Sequence, residues 1–256
     1  MAEAAFHAVA LVDIERFGDR PNPVQRQVRA DLYQVVRTAL TEAGLDPGRI
    51  DQEDRGDGIL MVDPDVSVLE LAGRFVRELD YGLREKARTS SAIARIRLRV
   101  AIHQGMCEHD GEGWVGAAVN TTARLVDAPP LKAALAAAAD QVNLALIVSR
   151  QVFDEVIRHD YRSVDSSTFE RVAIDAKELR GETAWVQVPG YSYPPGVTPA
   201  PTPAPTPAPT GTEPKKPKPK PKKKATRSGF VFQGNTKIEV KGDQVGGDKI
   251  VNGGAQ

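Results

Sequence analysis

Two stretches decide how this chain folds. One is Ala8-Val9-Ala10-Leu11-Val12-Asp13-Ile14; the other is Arg55-Gly56-Asp57-Gly58 running into Ile59-Leu60-Met61-Val62. Each apolar run reads as a strand. Asp13 closes the first strand, and Asp57 sits in the turn that opens the second. Two separated carboxylates can hold divalent ions. Taken alone, Asp13 can equally cap a strand end, and Gly56-Asp57-Gly58 can be an ordinary hairpin turn. Further on, Val119-Asn120-Thr121-Thr122-Ala123-Arg124-Leu125 sets Asn120 and Arg124 four apart. On a helix they share a face and can hold a ribose and a phosphate. Asn120 can also cap its helix, and Arg124 can serve in a surface ion pair.

Working outward, Val24, Val28, Leu32, Val35, Val36 and Leu40 recur at helical spacing. Asn22 is placed to cap that helix, with Pro23 at its first position and Gly44 at its end. Val68, Leu71, Phe75, Val76, Leu79 and Leu83 mark a second helix. Arg95 to His103 alternates as a strand, Leu144 to Val148 reads as a buried strand, and a helix follows over 149–157. The order strand, helix, two strands, helix, strand is that of a ferredoxin-like core, so an α+β, βαββαβ fold with C-terminal additions is expected.

The charges of the 256 residues sum to zero, which conceals an asymmetry. Residues 213–227 hold seven Lys, one Arg and one Glu, whereas 1–212 carry 23 basic and 30 acidic residues. The expected folded part, 1–190, is therefore acidic. Residues 191–228, with Thr-Pro-Ala-Pro repeats and then Lys-Pro alternation, read as an extended linker, because proline fixes φ and removes donors. The Lys-rich run lacks interleaved aromatics, so a solvated spacer is expected rather than a nucleic-acid binder. Residues 229–256 repeat Gly-Asp-x-Val/Ile and are β-prone. So short a tail cannot bury a core alone, and docking an effector protein by strand addition is the expected role. The single cysteine, Cys107, excludes an intrachain disulfide. With neither a signal-like segment nor a transmembrane stretch, a cytoplasmic location is expected.

At this point the chain resembles the class III nucleotide (adenylate/guanylate) cyclase homology domain over about residues 5–190. The resemblance rests on five ordered motifs: Asp13-Ile14 with Phe17, Gly56-Asp57, Leu98-Arg99-Val100-Ala101-Ile102-His103-Gln104-Gly105, Gly116 through Val119-Asn120 to Arg124-Leu125, and Ser149 after a buried strand. It implies a nucleotidyl cyclase that makes a 3′,5′-cyclic nucleotide and pyrophosphate for signalling, as bacterial signalling and antiphage relatives do. It implies two Mg²⁺ or Mn²⁺ ions on Asp13, Asp57 and the Ile14 carbonyl, activating the ribose 3′-hydroxyl. Asn120 would orient the ribose, and Arg124 would neutralise charge on the α-phosphate. Lys177, or its rival Arg180, would contact the distal phosphates. Because the family takes the Asp pair and the Asn–Arg pair from different subunits, a homodimer is implied. At the base-reading position stands Glu53, where adenylate-forming members carry Lys, and the partner position is Gly113, without a side chain. GTP or a pyrimidine triphosphate is therefore favoured over ATP, with Arg55 a further base or phosphate contact. The same resemblance leaves open a catalytically silent, nucleotide-sensing or scaffold module that recruits its effector through the tail.

Overall fold

The spine of the sheet is β1, Ala5–Ile14. Its even residues, Ala8, Ala10, Val12 and Ile14, join one core, while Val9 and Leu11 join another. A strand covered on both faces has no polar side to show, which is why its sequence runs apolar without alternation. The computed structural model describes residues 3–174 and 181–200. Within them the chain continues through α1 (Asn22–Glu42), β2 (Asp51–Asp54) and β3 (Gly58–Asp63). Next come α2 (Val68–Glu70), a π-helical turn at Leu71–Phe75, and α3 (Val76–Thr89). The second half is β4 (Leu98–His109), β5 (Trp114–Val115), α4 (Ala117–Val126), α5 (Pro129–Ala137), β6 (Leu144–Ser149), α6 (Arg150–Glu155), β7 (Glu170–Ile174) and β8 (Glu182–Gln187).

The strands lie in the order β2-β3-β1-β4-β6-β8-β7, and β5 pairs with β4 alone. β1 is antiparallel to both β3 and β4, giving the expected βαββαβ core, and β6 adds parallel to β4. α1 and α3 cover one face, where Leu32, Phe75, Leu79 and Leu98 are fully enclosed. α4 and α5 cover the other, over Val9, Ala101, Ile147 and Val186. Each such aliphatic or aromatic side chain removed from water contributes roughly 1.5–3 kcal/mol, so the two helical layers lock the sheet from both sides.

Local signals explain the boundaries. α1 begins one residue earlier than expected: Pro21 is its cap and Asn22 its first residue, with no side-chain cap bond. Gly44 ends it at φ +80°, where its N–H reaches the Thr41 carbonyl and the Leu45 N–H reaches that of Leu40, a Schellman closure. The π-helical turn was not foreseen. There Gly73 lies against Ser163, and a Cβ at 73 would come 2.5 Å from its Oγ. The first ten residues of the expected linker depart from an extended spacer. Tyr191 and Val197 pack on the α4–α5 core, and the Ala200 N–H donates to the Arg171 carbonyl at 2.7 Å. By contacts the chain divides into Met1–Ala204 and Pro205–Gln256. The rest of the expected linker, the Lys-rich run, the tail, Lys177 and Arg180 lie outside the described residues.

Candidate functional site

Three neighbouring strands deliver the acidic site. Asp13 faces Gly58 of β3 on one side and Arg99 of β4 on the other, as register partners. The Ile14 N–H donates to the Asp57 carbonyl at 2.9 Å, which fixes the turn against the end of β1. Gly58 permits that approach, since a Cβ there would stand 2.4 Å from the Val12 carbonyl oxygen. The close backbone contact brings the two carboxylates near enough to repel each other.

Arg99, which stands in the Leu98–Gly105 motif, holds Asp13. Its Nε donates to Asp13 Oδ2 at 2.8 Å, and its Nη2 binds the same oxygen. Asp13 Oδ1 has no hydrogen-bond partner among the described residues. Burial pushes the Asp13 carboxyl up to about 6 against the pull of Arg99, and the charges of Asp57 and of Asp127, just past α4, push the same way. Asp127, itself paired with Lys132 at 2.9 Å, is thus a third carboxylate near the pair. The donor set is hard oxygen, which suits Mg²⁺ or Mn²⁺. The Asp13 Oδ1, the Asp57 carboxylate and the Ile14 carbonyl are the oxygen donors present here, and no cluster of three or more His, Cys, Asp or Glu forms among the described residues.

Gly116 caps α4, and its φ of +133° and contact with Cys107 leave no room for a side chain. The helix packs over β4 and β1. Asn120 is exposed on it, with no side-chain hydrogen bond among the described residues, and Arg124 is half-buried. Asn120 lies inside the helix rather than capping it.

Glu53 and Gly113, 60 residues apart, are neighbours: a Cβ at 113 would lie 3.0 Å from Glu53 Oε1. Glu53 Oε2 accepts the Trp114 N–H at 3.2 Å and pairs with Arg55 at 3.1 Å. Arg55 is therefore engaged with Glu53. Trp114 packs within its own chain, edge-on to His7 and His109, and its Nε1 donates to Asp51 at 3.0 Å. His103 is bonded to Ser149, the α6 cap, at 2.8 Å, and burial lowers it to about 4.

Comparison with solved structures places this architecture. The adenylate/guanylate cyclase/hydrolase from Silicibacter pomeroyi superposes with a TM-score of 0.54 at 20% identity, covering 74% of this chain and 100% of that one. The guanylyl cyclase Cya2 gives 0.51 at 16% identity, over 77% and 98%. A bacterial light-regulated adenylyl cyclase gives 0.50 at 12%, over 73% and 92%. No protein-family model and no curated protein matches the chain. The chain has the fold of the class III adenylate/guanylate cyclase catalytic domain. No helix among the described residues is long and apolar enough to cross a membrane.

Proposed function

We propose that the protein is a homodimeric nucleotidyl cyclase, converting a nucleoside triphosphate to a 3′,5′-cyclic nucleotide and pyrophosphate. One observation carries the reading: within a cyclase fold, the end of β1 and the β2–β3 turn bring Asp13 and Asp57 within reach of each other's charge. Asp13, Asp57 and the Ile14 carbonyl would hold Mg²⁺ or Mn²⁺, which supplies Lewis-acid polarisation of the ribose hydroxyl and the phosphates. Arg99 keeps Asp13 Oδ2, leaving Oδ1 and Asp57 for that role. Asn120 of a second subunit orients the ribose, and its Arg124 meets the charge growing on the α-phosphate. Lys177 serves the distal phosphates. Glu53 accepts hydrogen bonds from the base, favouring GTP or a pyrimidine triphosphate. Its carboxylate already accepts the Trp114 amide, which supports a base read by Oε1.

The test is incubation of the full chain with ATP, GTP, CTP and UTP in Mn²⁺, with cyclic products identified by mass spectrometry. A product from wild type and none from folded Asp57→Ala is expected, and its base names the substrate. Full activity in Asp57→Ala would refute the assignment. The Arg99 clasp on Asp13 supports a second reading, a silent nucleotide-sensing module. Nucleotide binding without turnover from any of the four would decide for it.

A further inference from the structure

Ahead of β4 lies a cavity of about 530 Å³ that the cyclase chemistry leaves unused. Arg84 and Arg88 of α3 and Arg95 of the loop before β4 line it together with Asn143, Val142 and Tyr191, and no acidic residue among the described residues is in its wall. The volume is that of a small-molecule site.

Its polar groups are incompletely used. Arg95 donates through Nη1 to the Asp140 carbonyl at 3.3 Å, but its buried Nε has no partner among the described residues. Arg88 pairs with Glu85 at the surface, the side chains being 73% and 43% exposed, which holds it weakly. Arg84 is shared with Asp80 at 2.6 Å. Asn143 is 1% exposed. Its Nδ2 donates to the Gln141 carbonyl at 3.1 Å, which fixes the amide's orientation and leaves Oδ1 without a partner among the described residues. The Tyr191 hydroxyl accepts the Ala139 N–H at 3.0 Å, so its own proton is free to donate. The two orphaned atoms lie enclosed just beneath the wall, so the Arg95 guanidinium presents its terminal nitrogens to the cavity rather than Nε.

The wall is also held rigidly. Arg20 donates to the carbonyls of Ile93 (3.2 Å), Arg95 (3.0 Å), Glu15 (2.9 Å) and Arg16 (2.8 Å), clamping the 93–95 loop to the segment that follows Asp13-Ile14. Arg97 adds a second tie, pairing with Glu15 at 3.2 Å while its Nε donates to the Val142 carbonyl at 3.1 Å. A guanidinium carried on a loop fixed in this way is preorganised for an anion.

We propose that this cavity is a second ligand site, separate from the candidate cyclase site. It takes a phosphate monoester attached to a nucleoside-sized ring system, of which a nucleoside 5′-monophosphate is the simplest case. Three guanidiniums suit a phosphate dianion: Arg95 has no carboxylate partner among the described residues, Arg88 is held only by the exposed Glu85, and Arg84 shares Asp80. Val142 and the Tyr191 ring offer the apolar surface for the ring.

Calorimetric titration of the full chain with 5′-GMP, and separately with inorganic phosphate, tests this. EDTA is kept present, so that metal-dependent binding is silent. Binding of 5′-GMP should weaken at least tenfold in Arg88→Glu, whose exposed position lets the chain fold, and at least tenfold in Arg95→Gln. It should be unchanged in Arg124→Ala. No binding to wild type at millimolar 5′-GMP would overturn the proposal, as would wild-type affinity in both cavity variants. Loss of binding in Arg124→Ala would place the ligand on α4 instead, and phosphate binding as tightly as 5′-GMP would refute the ring half of the site.

Discussion

Replacing Arg99 by Met keeps most of the side chain's bulk and removes its charge. Asp13 is 16% exposed and Arg99 14%, so the pair is largely shielded from water. Removing one partner of a buried pair costs about 3–5 kcal/mol, and the residual exposure places this pair near the lower end, about 3 kcal/mol at pH 8. The cost depends on pH with a definite sign. The Asp13 carboxyl sits at about 6 in the folded state, above its ordinary 3.8. The native protein therefore binds more protons than the unfolded chain between those values, and this group's contribution to stability is lost as pH rises through 6. Without Arg99 the carboxyl moves higher still, so the variant continues losing stability where wild type has levelled off. Near pH 5 both forms are mostly protonated at Asp13, and the difference should shrink by about 1 kcal/mol or more. Urea denaturation of both proteins at pH 5 and pH 8 measures this, and Asp13→Asn with the double variant closes the cycle. A loss under about 1 kcal/mol at pH 8, or an equal loss at both pH values, would refute the reasoning.

Three further outcomes are expected. Asp57→Ala should fold as wild type yet yield no cyclic product, read by mass spectrometry beside a melting curve. Gly58→Ala would drive a Cβ to 2.4 Å from the Val12 carbonyl, so a loss of about 2 kcal/mol or more is expected in thermal melting; an unchanged midpoint would contradict the close β1–β3 contact. His103, lowered to about 4 by burial, stabilises the fold above its ordinary 6.5, and that contribution is lost as pH falls through 4. His103→Gln should flatten the acid limb of the stability profile by about 2 kcal/mol between pH 6.5 and 4; an acid limb as steep as that of wild type would count against it.

The sheet was legible because β1, β3 and β6 are apolar on both faces and so leave uninterrupted runs. Asp13 and Asp57 were legible because each closes or opens such a run. Arg99 was not, although it stands in a quoted motif: its meeting with Asp13 depends on a strand register joining residues 86 apart, which no local pattern carries. Arg20 escaped notice for the same reason, since two of its four carbonyl partners belong to a loop more than 70 residues away. The Glu53–Gly113 neighbourhood was inferred through resemblance, but the engagement of Arg55 and the Trp114 amide with Glu53 needed coordinates. The π-helical turn had no sequence mark beyond one glycine, and the Ser163 that Gly73 packs against lies 90 residues downstream. Proline content pointed to an extended segment from 191, and it failed for 191–200 because Tyr191 and Val197 supply apolar anchors that composition alone averages away.

The alignment of Asp13 between β3 and β4 has a consequence for synthesis. As the chain emerges from the ribosome, residues 13 and 57 are available to meet long before residue 99 exists. Until β4 arrives, an early β1–β3 pairing would bring two carboxylates together with no guanidinium beside them, an association that charge opposes. Arrival of Arg99 offsets part of that opposition, so the pairing of β4 with β1 favours closure of the acidic pair. The order of synthesis thus delivers the guanidinium last, after both Asp13 and Asp57 have been made.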